Sequence, residues 1–436
     1  MKKSLSVLGL AVLLACIPVL CSAQYLRNSY FMEGSSARMA LNPALAPSRG
    51  YLNLPVIGAF GVEVGSNSLG AQDVMDIMED GGSFCANDKF MGLLKDENTL
   101  GLNLNTDVFS LGYHTPKAFV SFGLAAKAKV DAVVPKSMFQ YVYDLENDPF
   151  TGLKEYNVRN ERLNLNSYME MSFGYVRKLG DRLSIGGKAK VLFGYANIDM
   201  NVKKLDIQSY KLDNTASNIY PYSYIEADVE LALSGKGIEL EHDSNGCIDD
   251  VMMGDFGIGG YGAAVDLGLE YKVTDHLSLY ASIVDLGFIS WSKSSSEIYT
   301  SNNSVQKYER PEADILDFKT FALNNGVKKA RKTELAPTVT VGGEYGFFND
   351  KLSLGILSVT SFGEYEKYSE LMTIATFRPK SLLNVSASYS VLEGTDTFGL
   401  ALKLGPLMVG TDYMFLSENT KQVNAYFGLS IPLARK

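Results

Sequence analysis

In run after run between Tyr51 and Ile431 the apolar residues recur at every second position, and this alternation constrains the fold more than any other feature of the chain. In the last run Val423, Ala425, Phe427, Leu429 and Ile431 share one face, and Gln422, Asn424, Tyr426, Gly428 and Ser430 share the other. Leu383, Val385, Ala387, Tyr389 and Val391 alternate with Asn384, Ser386, Ser388 and Ser390. Phe398, Leu400, Leu402 and Leu404 alternate with Thr397, Gly399, Ala401 and Lys403. A period of two is that of a β-strand, whose side chains point alternately to opposite faces. The runs are about ten residues long, as a tilted strand needs to cross a bilayer, whereas soluble strands are usually about five or six. Polar faces carrying Lys188, Lys190, Asp266, Glu270, Glu344, Lys403 and Asp412 then belong in a wet lumen, with the apolar faces against lipid. Inward positions such as Ala401 and Asn424 are expected to accept a charge more readily than outward Leu402 and Phe427.

The turns agree with that reading. Gly180-Asp181-Arg182-Leu183-Ser184 recurs as Thr274-Asp275-His276-Leu277-Ser278 and as Asn349-Asp350-Lys351-Leu352-Ser353, each a tight polar turn leading into a strand of the same phase. Strands are expected near 51–64, 104–114, 117–130, 165–178, 182–199, 260–273, 276–291, 338–348, 351–363, 368–377, 381–391, 396–405, 407–416 and 421–431. Single-chain bacterial barrels have an even strand number, and this set puts every short turn on one side, the periplasm. Residues 221–233 also look like strand. Counting them alone would reverse every later turn, so 200–259 is assigned to one outer loop with room for its own hairpin. The expected fold is all-β: a transmembrane antiparallel β-barrel of about fourteen strands, with a short N-terminal plug segment and long extracellular loops. Tyr113, Tyr195, Tyr271, Phe347 and Phe415 end apolar faces, as interfacial aromatic girdles do. With 25 Tyr against a single Trp, Tyr is expected to dominate them.

The N-terminus sets the compartment. Lys2 and Lys3 precede an apolar run from Leu5 to Leu20, and Cys21-Ser22-Ala23 offers small residues for cleavage. This is the order of a secretory signal peptide over 1–23, cleaved near Ala23, with the cell outer membrane as destination. A lipobox at Leu13-Leu14-Ala15-Cys16 is the rival reading. The formal charge of −9 falls by two more when Lys2 and Lys3 leave, which argues against nucleic acid as a partner. Past the leader no stretch of about 18 apolar residues occurs, so a membrane crossing has to be a closed barrel. Cys85 and Cys247 remain, either as one bridge or as two free thiols.

Residues 24–50 precede the first strand and read as the plug segment, with the barrel over 51–433. They contain Asn42-Pro43-Ala44, in which Pro43 lacks a backbone donor and suits no central strand. Here the chain resembles the long-chain fatty acid and hydrocarbon transporter family of outer-membrane barrels, and the related shuttle barrels of type IX secretion. That resemblance rests on Asn42-Pro43-Ala44 and on whole-chain architecture. It implies a fourteen-strand barrel, a plug bearing Asn42, Pro43 and Ala44 that gates the lumen, and a small apolar ligand. The Gly/Ala-rich stretch that usually precedes the motif is reduced here to Gly34-Ser35-Ser36-Ala37-Arg38-Met39-Ala40. Lys188, Glu270 and Lys403 are expected to hold the plug in the periplasmic half.

Two outer loops carry apolar residues at helical spacing: Val74, Ile77 and Met78, then Ile315, Phe318 and Leu323 after Pro311. They read as a capture site for an apolar ligand or, more simply, as loops packing on one another. Asp243-Ser244-Asn245-Gly246-Cys247-Ile248-Asp249-Asp250 misplaces its glycine for a calcium loop and lacks the closing glutamate, so it reads as a solvated acidic loop. His114, His242 and His276 lie far apart, with no nucleophile context, and no metal or cofactor motif occurs. No catalytic, metal or cofactor residues are assigned. The expected partners are outer-membrane lipid and the barrel assembly machinery. Three functions stay open: passive transport of a small molecule, a shuttle or structural part of an envelope assembly, and a membrane-embedded hydrolase.

Overall fold

A computed structural model of the 436-residue chain describes residues 26–54, 59–80, 84–147, 152–211, 221–242, 248–301, 304–309, 321, 323–363, 367–380, 382–392, 395–413 and 420–433. The leader, Phe415, Ile315, Phe318 and Asp243 to Cys247 lie outside these residues.

Fourteen strands close into one antiparallel barrel. In chain order they are β1 (Tyr51–Asn53, continuing as Ala59–Ser66), β2 (Glu97–His114), β3 (Phe119–Pro135), β4 (Glu161–Leu179) and β5 (Leu183–Lys211). Then come β6 (Gly260–Lys272), β7 (Leu277–Trp291), β8 (Thr338–Phe347), β9 (Leu352–Phe362) and β10 (Lys367–Lys380). The last four are β11 (Leu383–Leu392), β12 (Thr395–Leu404), β13 (Leu407–Thr411) and β14 (Gln422–Pro432). Leu52 of β1 faces both Leu111 of β2 and Ile431 of β14, which closes the wall and removes its edges. The short connections at 115–118, 180–182, 273–276, 348–351 and 405–406 and the one that joins Lys380 to Leu383 all fall at one end. Two of them turn on glycines in the left-handed region, Gly180 at φ 68° and Gly405 at φ 59°.

Burial is inverted relative to a soluble sandwich. On β11 Asn384, Ser386, Ser388 and Ser390 are buried, while Val385, Tyr389 and Val391 are exposed. On β12 Thr397 and Ala401 are buried, while Phe398, Leu400, Leu402 and Leu404 are exposed. So continuous an apolar belt requires lipid as its solvent. Tyr261 and Tyr271 mark the two rims of that belt on β6, both exposed. Ten residues of strand rise about 33 Å, or about 25 Å along the axis at a tilt of ~40°, the height of the apolar band of such barrels. Tyr113, Tyr271 and Phe347 are exposed near the short turns, as girdle residues should be, and Tyr195 is partly buried.

Beyond the membrane the sequence reading needs correction. The strand assigned to 182–199 runs on to Lys211, and its outer half leaves β6 to pair with Pro221–His242, Ile198 opposite Leu233 and Ile207 opposite Ile225. Pro221–His242 pairs in turn with Ser296–Thr300 and Ser304–Glu309, and Lys154–Val158 borders β5. The described residues of 200–259 therefore form a β-sheet extension of the wall rather than a loop with one hairpin, because period-two patterning continues where the bilayer ends. Helices Ala71–Asp80, Asp88–Leu93 and Lys136–Asn147 pack on this sheet, burying Ile77, Met91 and Tyr141 against residues such as Met200, Val202 and Leu205. Of the first apolar group Ile77 joins this core, Val74 is half-buried and Met78 is exposed. Leu323, expected on a helix, is buried directly before strand Asn324–Lys328, and its partners are the strands of the outer sheet.

Candidate functional site

The first described residues lie inside the barrel. Leu26, Arg27, Asn28, Ser29, Tyr30, Phe31 and Met32 are at most 2% exposed, although a single turn of 3-10 helix is their only regular structure. A polar segment so short satisfies its backbone only through partners, and the strands supply them. Asp412 accepts the backbone N–H groups of Arg27 and Asn28, both at 2.8 Å, and is itself held by Asn424 Nδ2 at 3.1 Å. The Arg27 guanidinium lies 3.2 Å from Glu370 and donates to Tyr368 at 2.7 Å and to the Tyr413 hydroxyl. Burial alone would lower the pKa of that guanidinium, but Glu370 opposes it and the balance lies above the ordinary value.

Further along, Arg38 Nε donates to the Tyr30 carbonyl at 2.7 Å, and Arg378 donates to the Phe31 carbonyl at 2.8 Å while pairing with Glu344 at 2.9 Å. Burial pushes the Tyr30 phenol up to about 12, so it stays a neutral partner for Asn42 Nδ2, 3.0 Å away. Asn42 Nδ2 also reaches the Leu269 carbonyl at 3.2 Å, and its Oδ1 accepts the Ala44 N–H at 2.9 Å. Ser282 donates to the Leu41 carbonyl at 2.7 Å and Ser184 to the Ala44 carbonyl at 3.3 Å.

The wall is shaped to receive this segment. A Cβ on Gly268 would overlap Asn42, one on Gly355 the Phe31 ring, and one on Gly399 the Asn28 amide. At Gly186 it would stand 2.6 Å from the Ala44 nitrogen, behind Pro43. Missing side chains on four different strands thus leave the room that Asn28, Phe31 and Asn42 to Ala44 occupy.

A second constellation lies beyond the segment, toward the outer end. Lys190 Nζ is 2.7 Å from Asp266, 2.6 Å from Asp285 and 3.6 Å from Glu170, while Lys127 Nζ is 2.7 Å from Glu170 and 3.3 Å from Asp285. Asp285 enters this cluster through a bulge. The β6–β7 register shifts between Val265 and Leu267, Asp285 takes φ 59°, and its N–H donates to Asp266 Oδ1 at 2.8 Å. Sequence reading missed Lys127, Glu170 and Asp285. The signal for Asp285 was present: along β7 the buried residues are Tyr280, Ser282 and Val284, then Ile289 and Trp291, a change of phase across a bulge.

The predicted polar residues divide among these features. Lys190 and Asp266 sit in the ionic cluster, Asp412 and Glu344 contact the segment or its partners, and Glu270 lines an 820 Å³ chamber at the short-turn mouth. Lys188 and Lys403 line the small spaces beside residues 36–40 and 47–51. On the outer side of the cluster lies a second chamber of about 680 Å³, with Lys127, Asp285 and Tyr168 at its boundary. The lumen therefore holds, in order, an outer chamber, an ionic cluster, the N-terminal segment and an inner chamber. Among the described residues no group of three or more His, Cys, Asp or Glu is placed to hold a metal.

Solved structures similar to this chain include the toluene transporter TbuX of Ralstonia pickettii, 10% identical, covering 95% of this chain and 98% of that one at a TM-score of 0.44. A FadL homologue of Pseudomonas aeruginosa is 12% identical, covering 95% and 98% at 0.31. The toluene transporter TodX of Pseudomonas putida is 9% identical, covering 94% and 95% at 0.29. No curated protein matches the sequence. One family model matches residues 43–412, from the middle of the Asn42-Pro43-Ala44 motif to the aspartate that anchors the segment, and the chain thus belongs to DUF5723, a family of unknown function.

Proposed function

We propose that this outer-membrane barrel is a gated passive channel for a small molecule, with the N-terminal segment as its plug. The observation that carries the reading is the position of residues 26–47 between two chambers, held by contacts a rearrangement can break one at a time. Apart from the anchors on Glu370 and Asp412, those contacts are separate hydrogen bonds to carbonyls and hydroxyls, each worth about 1 kcal/mol net, rather than the continuous ladder that holds a wall strand. Asn42, Pro43 and Ala44 form the part of the plug seated on Gly268 and Gly186. An apolar molecule, the ligand class implied by the family resemblance, finds little support in a lumen lined by charges and amides.

We further infer cleavage near Ala23. Leu26 is 1% exposed within the lumen, and an uncut leader would have to pass back along the barrel. Mass spectrometry of the purified protein checks the new N-terminus. Deleting residues 26–45 behind an intact leader should give a barrel that assembles and conducts more than the full chain in planar bilayers. Equal conductance would overturn the plug. It would favour the shuttle reading, whose support is the outer sheet with its own apolar core, a platform for binding other envelope proteins.

A further inference from the structure

The outer chamber carries information about the ligand. Four cations line it, and each is matched by an anion of the same lining. Lys129 lies 3.1 Å from Asp131, Lys127 3.3 Å from Asp285, Arg331 2.9 Å from Asp199 and Lys332 3.7 Å from Glu334. No charge of either sign is in excess, so an ionic ligand would have to break a pair to gain one. Between the pairs lie neutral amides. Asn103 and Asn105 alternate on the inward face of β2, and Asn164 and Asn166 on that of β4. Strand register draws them into a row, Asn103 opposite Lys129, Lys129 opposite Asn166 and Asn166 opposite Asn197. The carbonyl oxygens of Asn105 and Asn166 are buried without a hydrogen-bond partner among the described residues. A buried acceptor left unpaired costs free energy; both oxygens are closed off as the amides now stand, and a turn of either amide toward the chamber would let a ligand donor remove that cost.

From this we infer that the outer chamber is a binding site for a neutral, hydroxyl-rich small molecule such as a short oligosaccharide. An amide offers a donor pair and an acceptor side by side, which suits adjacent hydroxyl groups. A volume of about 680 Å³ lies within the range of small-ligand sites, roughly 300–1,000 Å³. The inference rests on the channel reading only for the name of its cargo; the site itself stands on the lining residues.

The single tryptophan supplies the test. Trp291 is buried, and its indole N–H donates to Thr333 Oγ1 at 2.9 Å, a residue of the chamber wall. The full-length protein in lipid nanodiscs is titrated with raffinose, sodium glutamate and toluene while Trp291 emission is followed. Raffinose should give a saturable change. Asn105→Leu with Asn166→Leu should weaken it at least tenfold, and the smaller truncations Asn103→Ala with Asn164→Ala, which leave the buried amides in place, should weaken it severalfold. Saturation by toluene or glutamate with none by raffinose overturns the proposal, as does raffinose binding that neither variant pair weakens. Raffinose binding to a protein whose 26–45 deletion still admits no sugar into liposomes would uphold the site and overturn the channel.

Discussion

Gly268 on β6 forms the floor beneath Asn42: a Cβ there would overlap the side-chain Oδ1 of Asn42 and stand 2.9 Å from the Pro43 ring. The side chain missing from one residue is thus the seat of another, 226 positions away in sequence. Gly268→Leu should leave the barrel able to assemble, because the change points into the lumen and disturbs no ladder bond. It should expel the plug and raise single-channel conductance severalfold. Heat modifiability on gels, unchanged from the parent, checks the first half, and a planar bilayer recording checks the second. A conductance equal to the parent's would mean that Asn42 does not seal the lumen.

Arg27 sets its guanidinium 3.2 Å from Glu370 and its backbone N–H on Asp412, and all three residues are buried. Arg27→Ala should therefore cost about 3–5 kcal/mol in the docking of the plug, most of it from carboxylates left uncompensated. Pairing it with Glu370→Gln should return part of that loss. Protease protection of the N-terminal segment in folded, detergent-solubilised protein reports the difference, and a double variant no better protected than the single one would contradict the assignment.

The faces of the wall should fail in different ways. Leu402→Arg and Phe427→Arg put charge against lipid and should cost ~2–4 kcal/mol near the midplane, read as loss of the folded band. The inward partners are less tolerant than the alternation alone implies. Ala401 is buried against Leu26, Met32 and Met408, and Asn424 fixes Asp412. Ala401→Arg and Asn424→Arg should assemble but leak, so the readout that separates the two faces is conductance against folding rather than mild against severe.

Cys85 is a buried free thiol in the apolar core of the outer sheet. Burial first, and then the charge of Glu146, push its pKa up to about 12, so at neutral pH it is protonated. In a Cys247→Ser background, maleimide at pH 8 should label the native protein roughly a hundredfold more slowly than the unfolded chain. Because the folded thiol holds its proton more tightly, its contribution to stability is present below the ordinary thiol pKa and is lost as pH rises from about 9 towards 12. Equal labelling rates would place Cys85 outside the core.

How much of this was legible depended on the solvent each residue meets. Where lipid covers one face and the lumen the other, as at Val385 and Ser386, alternation alone gave strand, face and parity. Above the membrane the same alternation at Ile198, Met200 and Val202 packs under helices, and nothing in the local pattern marks where lipid stops. Lys127, Glu170 and Asp285 come from three strands, and only the register brings them together. Asn42-Pro43-Ala44 was visible as a motif, but its seat lies in glycines more than a hundred residues away.

The anchor of the N-terminal segment has a consequence for assembly. Arg27 and Asp412 are 385 positions apart, and Phe31 and Arg378 are 347 apart. Contacts of such sequence separation carry the largest loop-closure entropy and form after the strands that provide their partners. The segment can enter by the mouth next to β1 without threading, but it finds Asp412 and Glu370 only once β10 and β13 are in place. Docking of the first residues thereby certifies that the last strands have arrived, and a barrel short of its C-terminal hairpins would stand open and be exposed to periplasmic proteases from its own N-terminus.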